Sequence, residues 1–266
     1  MKTMKFYLNI YWKLATQYLK ERMQFRADFF MELIGMIFVN LISLVTIGII
    51  FMTISEMGGW DFNHMLFLYG FTLMAMSPQQ LLLDNGWTLY RHVVTGDFIK
   101  YCFRPVNILF YFMAETVDIK GFSQFAVGLI VIIVSWTRLK VPLTLFNIAV
   151  FFVFMLGAVF ICMGLIILTC TFGFMGGGTN AAMMLASDLK SYARYPVKVF
   201  GRVIQFIFTW IVPIGFIAYY PACFLLKDEG SIPLVAYFSP LIGFVFFIIS
   251  SKIWIHFANR YAGTGN

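Results

Sequence analysis

The chain has 266 residues, of which 61% are hydrophobic and 19% aromatic while only 12% are charged. Its mean hydropathy is +0.85. Ordinary soluble domains carry about 25% charged residues, so a water-soluble globule is excluded. The formal net charge of +7 reads as a topology signal and as attraction to anionic lipid headgroups, and nucleic acid is a poor explanation for it.

At the start, Tyr7, Leu8, Tyr11, Leu14, Ala15, Tyr18 and Leu19 recur at helical spacing, with Lys5, Asn9, Lys13, Gln17 and Lys20 opposite. Residues 1–27 are therefore predicted as an amphipathic helix lying in the membrane interface, not a signal peptide. It serves either as a topological anchor or as an elbow that carries motion into the first span.

Hydrocarbon about 30 Å thick asks for about 20 apolar residues per helix. Runs of that kind occupy residues 29–54, 65–83, 121–136, 143–174, 203–219 and 234–257. Their length excludes barrel strands, which alternate over about ten residues. The fold class is an all-α membrane protein with six transmembrane helices and an interfacial amino-terminal helix. Without a repeat or a long linker, residues 1–266 make one membrane domain.

Lys2, Lys5, Lys13, Lys20, Arg22 and Arg26 precede the first span, whereas the next connection carries Glu56 and Asp61. Basic residues favour the cytosolic side, so the amino terminus is expected there. The alternation then puts Arg91, Lys100 and Arg104 inside, Arg138 and Lys140 outside, Lys190, Arg194, Lys198 and Arg202 inside, Lys227 outside, and Lys252 and Arg260 inside. Both termini are expected in the cytosol. Residues 84–107 and 176–202 are expected to project there too. On the other side, residues 219–240 suit a re-entrant or interfacial segment, because the apolar piece 222–226 is too short to span.

Chemistry of catalysis is missing from the pattern. HExxH and GxSxG do not occur, and His64, His92 and His256 are scattered, which argues against a metal site. Gly176-Gly177-Gly178 is followed by no Lys-Ser or Lys-Thr, so it reads as a flexible exit from the fourth span and not as a phosphate loop. The chain is expected to need no cofactor of its own and to hydrolyse no nucleotide. Cys102, Cys162, Cys170 and Cys223 contain no CxxC, and Cys162 and Cys170 read as packing residues on one helix face.

Ionisable residues cluster at membrane edges. Asp28 and Glu32 stand one turn apart near Arg22 and Arg26, and Glu115 and Asp118 are spaced to share one helix face before Lys120. No acid falls at the bilayer centre, which argues against a proton-coupled carrier. Uncharged polar residues do fall within spans: Asn40 and Ser43 in the first, Gln79 and Gln80 beside Pro78 in the second, Gln205 and Thr209 before Pro213 in the fifth. They are candidates for a translocation path, although helix-to-helix hydrogen bonding explains them equally well. Both prolines are expected to open their helices.

Residues 84–107 are the basic, aromatic interruption of this oily chain. Arg91, Lys100 and Arg104 supply charge that orients a partner. Trp87, Tyr90, Phe98, Tyr101 and Phe103 supply anchors, and Pro105 marks where the next helix begins. The alternative is a headgroup-level loop whose aromatics form an interfacial belt.

Gly96-Asp97-Phe98 followed by Arg104-Pro105 resembles the segment after the second span of permeases of the ABC type-2 exporter superfamily. Tyr195-Pro196, Pro213, Phe216, Ala218-Tyr219-Tyr220-Pro221-Ala222, Leu225-Leu226 and Arg260-Tyr261-Ala262-Gly263-Thr264-Gly265 resemble one bacterial subgroup, mostly described as multidrug-type permeases. The resemblance implies a membrane half of an exporter in the bacterial cytoplasmic membrane. Two such halves, identical or paralogous, would pair with separate cytosolic ATPase subunits that bind ATP and magnesium. It implies further that Gly96, Asp97, Phe98, Tyr101, Arg104 and Pro105 couple to the ATPase. The aromatic and Met-rich bundle favours an amphiphilic cargo, such as a drug, peptide antibiotic or lipid. A lipid-linked glycan exporter, or a non-transporting scaffold, remains the alternative.

Overall fold

The computed structural model describes residues 2–176, 179–226 and 232–261. Gly177, Gly178, residues 227–230 and the final 262–265 motif lie outside them. Five of the six apolar runs form long helices: α2 (Arg26–Thr53), α3 (Phe62–Leu83), α7 (Lys120–Arg138), α8 (Leu145–Cys170) and α12 (Ser239–Asn259). At 1.5 Å per residue each reaches about 28 Å or more, enough for the hydrocarbon. Among the described residues no strand forms, and β-type pairing is limited to one bridge, Met57 to Trp60.

Local chemistry sets the helix starts. Asp61 caps α3 by accepting the His64 amide at 3.0 Å, and Thr144 caps α8 by accepting the Asn147 amide at 3.2 Å. α3 runs through Pro78 without a break, contrary to the expected opening. The Ser77 hydroxyl there donates across to the Gly121 carbonyl of α7 at 2.8 Å. Small residues allow that approach, since a Cβ added at Gly121 would stand 2.9 Å from the Ser77 carbonyl oxygen. α8 and α12 cross closer still: a Cβ at Gly243 would lie 2.1 Å from the Gly157 carbonyl oxygen.

Contacts between helices give the chain's path. α2 runs opposite to α3, with the Tyr69 hydroxyl donating to the Asn40 carbonyl and Phe51 against Phe62. α7 is again opposite to α3, pairing Gly70 with Ile132 and Ser77 with Gly121. α8 runs with α3, from Phe71 beside Phe151 to Gly86 beside Cys170, and α12 runs with α8, from Gly157 beside Pro240 to Gly164 beside Ser250. The chain must therefore return between α8 and α12. Residues 179–199 make that return, comprising α9 (Thr179–Ser191) and two 3₁₀ turns. Met183 lies beside Gly86 at one end of α3, Lys190 hydrogen-bonds Gln79, Arg194 stands 5.8 Å over the Tyr69 ring, and Pro196 and Val199 meet Gly58 at the other end.

Two expectations are corrected by this path. Within the 176–202 stretch, residues 179–199 do not project from the bundle but run back through it. Residues 203–219 are not a straight span: α10 (Arg202–Phe206) continues as a π turn to Ile211, the chain breaks at Val212 and Pro213, and it resumes through a 3₁₀ turn to α11 (Tyr219–Leu226). The two arms meet at 72°. Proline at 213 removes a backbone donor and fixes φ, which ends the first arm. Both ends of this bent hairpin lie at the α2–α3 end of the bundle, near Gly58 and near Trp60, whose ring is 5.7 Å from Tyr219. A count of six passes survives with 179–199 as the fifth. Lys198 then joins the end of the bundle away from the termini, and Lys190 and Arg194 enter the interior.

At the terminal end, α1 (Lys2–Arg22) rests on α6 (Ile108–Ala114) through the edge-on Tyr7 and Phe110 rings, 4.9 Å apart. Arg22 holds Glu32 of α2 at 2.7 Å. Leu8 and Trp12 of α1 are exposed. Residues 115–119 are not helical, so Glu115 and Asp118 do not share a helix face. Glu115 turns to Lys100 at 3.0 Å, whereas Asp118 pairs with Lys120 at 3.2 Å.

Candidate functional site

Residues 84–107 fold onto the terminal end of the bundle as a 3₁₀ turn (Asp84–Thr88), α4 (Leu89–Val94) and α5 (Ile99–Cys102). Buried Asn85 fastens the start, its Nδ2 donating to the Phe112 carbonyl at 2.5 Å. Thr88 Oγ1 donates to Asn85 at 2.7 Å. Leu89 and Val93 face inward, as the α4 spacing requires. The chain then reverses at Gly96, whose φ of +80° favours glycine. Asp97 Oδ2 accepts the Thr95 hydroxyl at 2.7 Å, and the Phe98 amide closes the turn on the His92 carbonyl at 2.9 Å.

Phe98 is the root of the segment. It is fully buried, with the rings of Tyr101, Phe112, Phe174, Trp254 and Tyr261 at 5.0 to 6.0 Å. Tyr261 adds a hydroxyl donated to the Val93 carbonyl at 3.1 Å. Tyr101 is buried beside Phe98 and donates to Glu115. Burial, then the Glu115 carboxylate, pushes this phenol above its ordinary range, so it stays a protonated donor. Asn107 rather than Pro105 caps α6, accepting the Phe110 amide at 3.0 Å.

The predicted anchors thus divide. Phe98 and Tyr101 hold the segment to its own bundle. Outward stand Tyr90, Val94, Ile99, Phe103 at 80% exposure, Arg91, Asp97, Arg104 and Pro105. Gly96 forms the turn between the two groups.

The six polar residues singled out within spans have these partners in the bundle. Asn40 is buried and its Nδ2 has no partner among the described residues, while Ser43 donates to the Val39 carbonyl. Gln79 accepts from Lys190, and Gln80 donates to Asp118 at 3.2 Å. Gln205 closes its own turn on the Phe200 carbonyl at 2.7 Å, and Thr209 pairs with the Tyr220 hydroxyl at 2.8 Å. Hydrogen bonding between and within elements accounts for five of them. Sequence reasoning missed Lys190, 1% exposed, and Arg194 over Tyr69. The signal was present: Thr179, Met183, Ala186, Lys190, Ala193 and Val197 are all buried at alternating spacings of four and three, the pattern of a packed helix seam.

Residues 35–265 match the family described as ABC-2 family transporter protein. The chain belongs to the ABC-2 transporter family. Comparison with curated proteins and with solved structures returned no match. The helical bundle with its membrane-length helices agrees with the family's character. The chain is the membrane permease component of an ABC transporter, a type of subunit that works with an ABC ATPase and is not itself the ATPase.

Proposed function

We propose that this permease exports an amphiphilic cargo, a drug, peptide antibiotic or lipid, and that residues 84–107 receive the driving force. Two halves, identical or paralogous, form the path in the bacterial cytoplasmic membrane with their termini in the cytosol. Separate cytosolic ATPase subunits bind ATP and magnesium. The observation that carries this reading is the division of the segment into a buried aromatic root and an exposed tip. Such a part moves as one body: force on Phe103, Arg104 or Ile99 reaches α12 through Phe98 and Trp254, and α6 through Phe112. Packed interfaces rearrange between discrete states, so displacement of the root favours one bundle arrangement over another.

Arg104 tests the reading because it is exposed, with its guanidinium 5.6 Å from the Tyr111 ring. The complex with its ATPase is purified with Arg104→Glu and placed in proteoliposomes, where ATP hydrolysis and movement of an amphiphilic fluorescent dye are followed together. Charge reversal is expected to weaken assembly and abolish hydrolysis-driven dye movement. Unaltered assembly and coupled transport in this variant would sink the docking reading.

A further inference from the structure

α1 does not lie flush on the bundle. Under its first half an apolar groove of about 680 Å³ opens between Tyr7, Leu8 and Tyr11 and the facing Met113, Met163 and Phe247. Under its second half lies a polar cavity of about 510 Å³, where Tyr18 and Glu21 face Arg91, His92, Lys100 and Arg104. The lining passes from the apolar to the polar space along two elements, between Tyr11 and Leu14 and between Leu83 and Asn85, while α6 gives Phe110 and Met113 to the first and Tyr111 to the second.

Chemistry and depth both limit the occupant. A groove walled by carbon favours an apolar chain over water, and its volume lies in the range of sites that hold a small organic molecule. In the polar cavity Lys100 is already paired with Glu115 at 3.0 Å. Arg91 and Arg104 join none of the ion pairs among the described residues, so two guanidinium groups face one further acid, Glu21. The excess is positive. Leu82 and Leu83 precede Asn85 and Thr88 as the chain leaves the span, so the apolar space is the deeper one and the basic space lies towards the surface. That is the polarity of a phospholipid in the leaflet at the terminal end.

We infer that α1 clasps a single phospholipid with an anionic headgroup, its acyl chains in the groove and its phosphodiester beside Arg91 and Arg104. The roof of this site is α1, which precedes the residues matched by the family. The bound lipid joins α1, α6, α8 and α12 into one unit and makes the elbow sensitive to membrane composition.

The test uses the complex with its ATPase, stripped of lipid in detergent and re-lipidated with phosphatidylglycerol or phosphatidylcholine. Native mass spectrometry then counts the lipid retained per permease chain. Wild type is expected to retain one phosphatidylglycerol, preferred roughly fivefold for the excess charge. Arg91→Gln is expected to keep a lipid but lose the preference. Met163→Trp fills the groove and is expected to lose either lipid by at least about fivefold. Leu8→Trp fills it from the exposed face of α1, leaves the core untouched, and decides the matter if Met163→Trp fails to fold. Equal retention of the two lipids by wild type, or unchanged retention in Leu8→Trp, overturns the proposal, the first outcome marking adventitious annular lipid. ATPase assembly is scored on the same samples, so failure of the coupling reading with lipid still bound is distinguishable from failure of this one.

Discussion

Replacing Phe98 by Ala tests the root of the coupling segment where its mechanical role and its packing coincide. The ring is fully buried among five other rings, and truncating such a Phe costs about 3–5 kcal/mol. The five neighbours belong to α5, α6, the 3₁₀ turn after α8, α12 and the chain beyond it. The distal core around Trp60, Phe67 and Phe151 is a separate cluster. The loss therefore falls on the attachment of residues 84–107 and leaves the rest of the bundle folded. A bias of about 3 kcal/mol against the docked segment is on the order of a hundredfold in its population. In proteoliposomes carrying the ATPase, hydrolysis is expected to continue while dye movement per ATP falls at least about tenfold. Phe98→Leu, which refills most of the volume, is expected to lie between the two. Circular dichroism and a thermal scan supply the control: the helical signal persists and the transition broadens or moves down. Phe98→Ala with wild-type coupling and an unchanged midpoint would refute the idea that this ring ties the segment to α12.

Gly96→Ala places a Cβ at φ +80° and is expected to cost about 1–2 kcal/mol locally, seen as faster amide exchange in residues 92–102 with the remaining helices protected. Gly243→Ala brings a Cβ to within 2.1 Å of the Gly157 carbonyl oxygen; backbone is the obstacle, so α12 must move, at a cost of about 1–3 kcal/mol that lowers the melting midpoint, whereas Phe244→Ala on the exposed side barely does. Lys190→Met leaves the Gln79 amide oxygen without its donor and is expected to cost about 1–3 kcal/mol. The double variant Lys190→Met with Gln79→Leu is expected to recover most of it, as replacing both members of a buried polar pair often does. If the double variant is the worse of the two, the pair does more than satisfy itself.

The long apolar runs read correctly because hydrocarbon length is a direct physical requirement: α2, α3, α7, α8 and α12 begin and end within a few residues of the predicted spans. The turn at Gly96 was legible too, through a residue type that suits φ of +80°. Which way Phe98 faces was not legible, since two of its packing partners, Trp254 and Tyr261, lie more than 150 residues away. The fifth pass failed for a sharper reason. Around residues 179–199 stand Asp188, Lys190, Arg194 and Lys198, and a charge rule reads such a stretch as a loop. That rule assumes each span faces lipid. The buried seam of residues 179–197 faces α3 and α8 instead, so Lys190 and Arg194 find Gln79 and Tyr69 there, while Met184, Leu185 and Asp188 stand exposed on the other side. The seam from Thr179 to Val197 is therefore the better signal, because burial against protein demands periodicity and not hydropathy. By the same reasoning the more apolar stretch 203–219 failed as a straight span. Its hydropathy suited lipid, but Pro213 makes a continuous helix impossible without a neighbour to take up the lost hydrogen bond, and the chain bends there by 72°. Apolar composition determines where a segment can reside, and backbone chemistry determines whether it can cross.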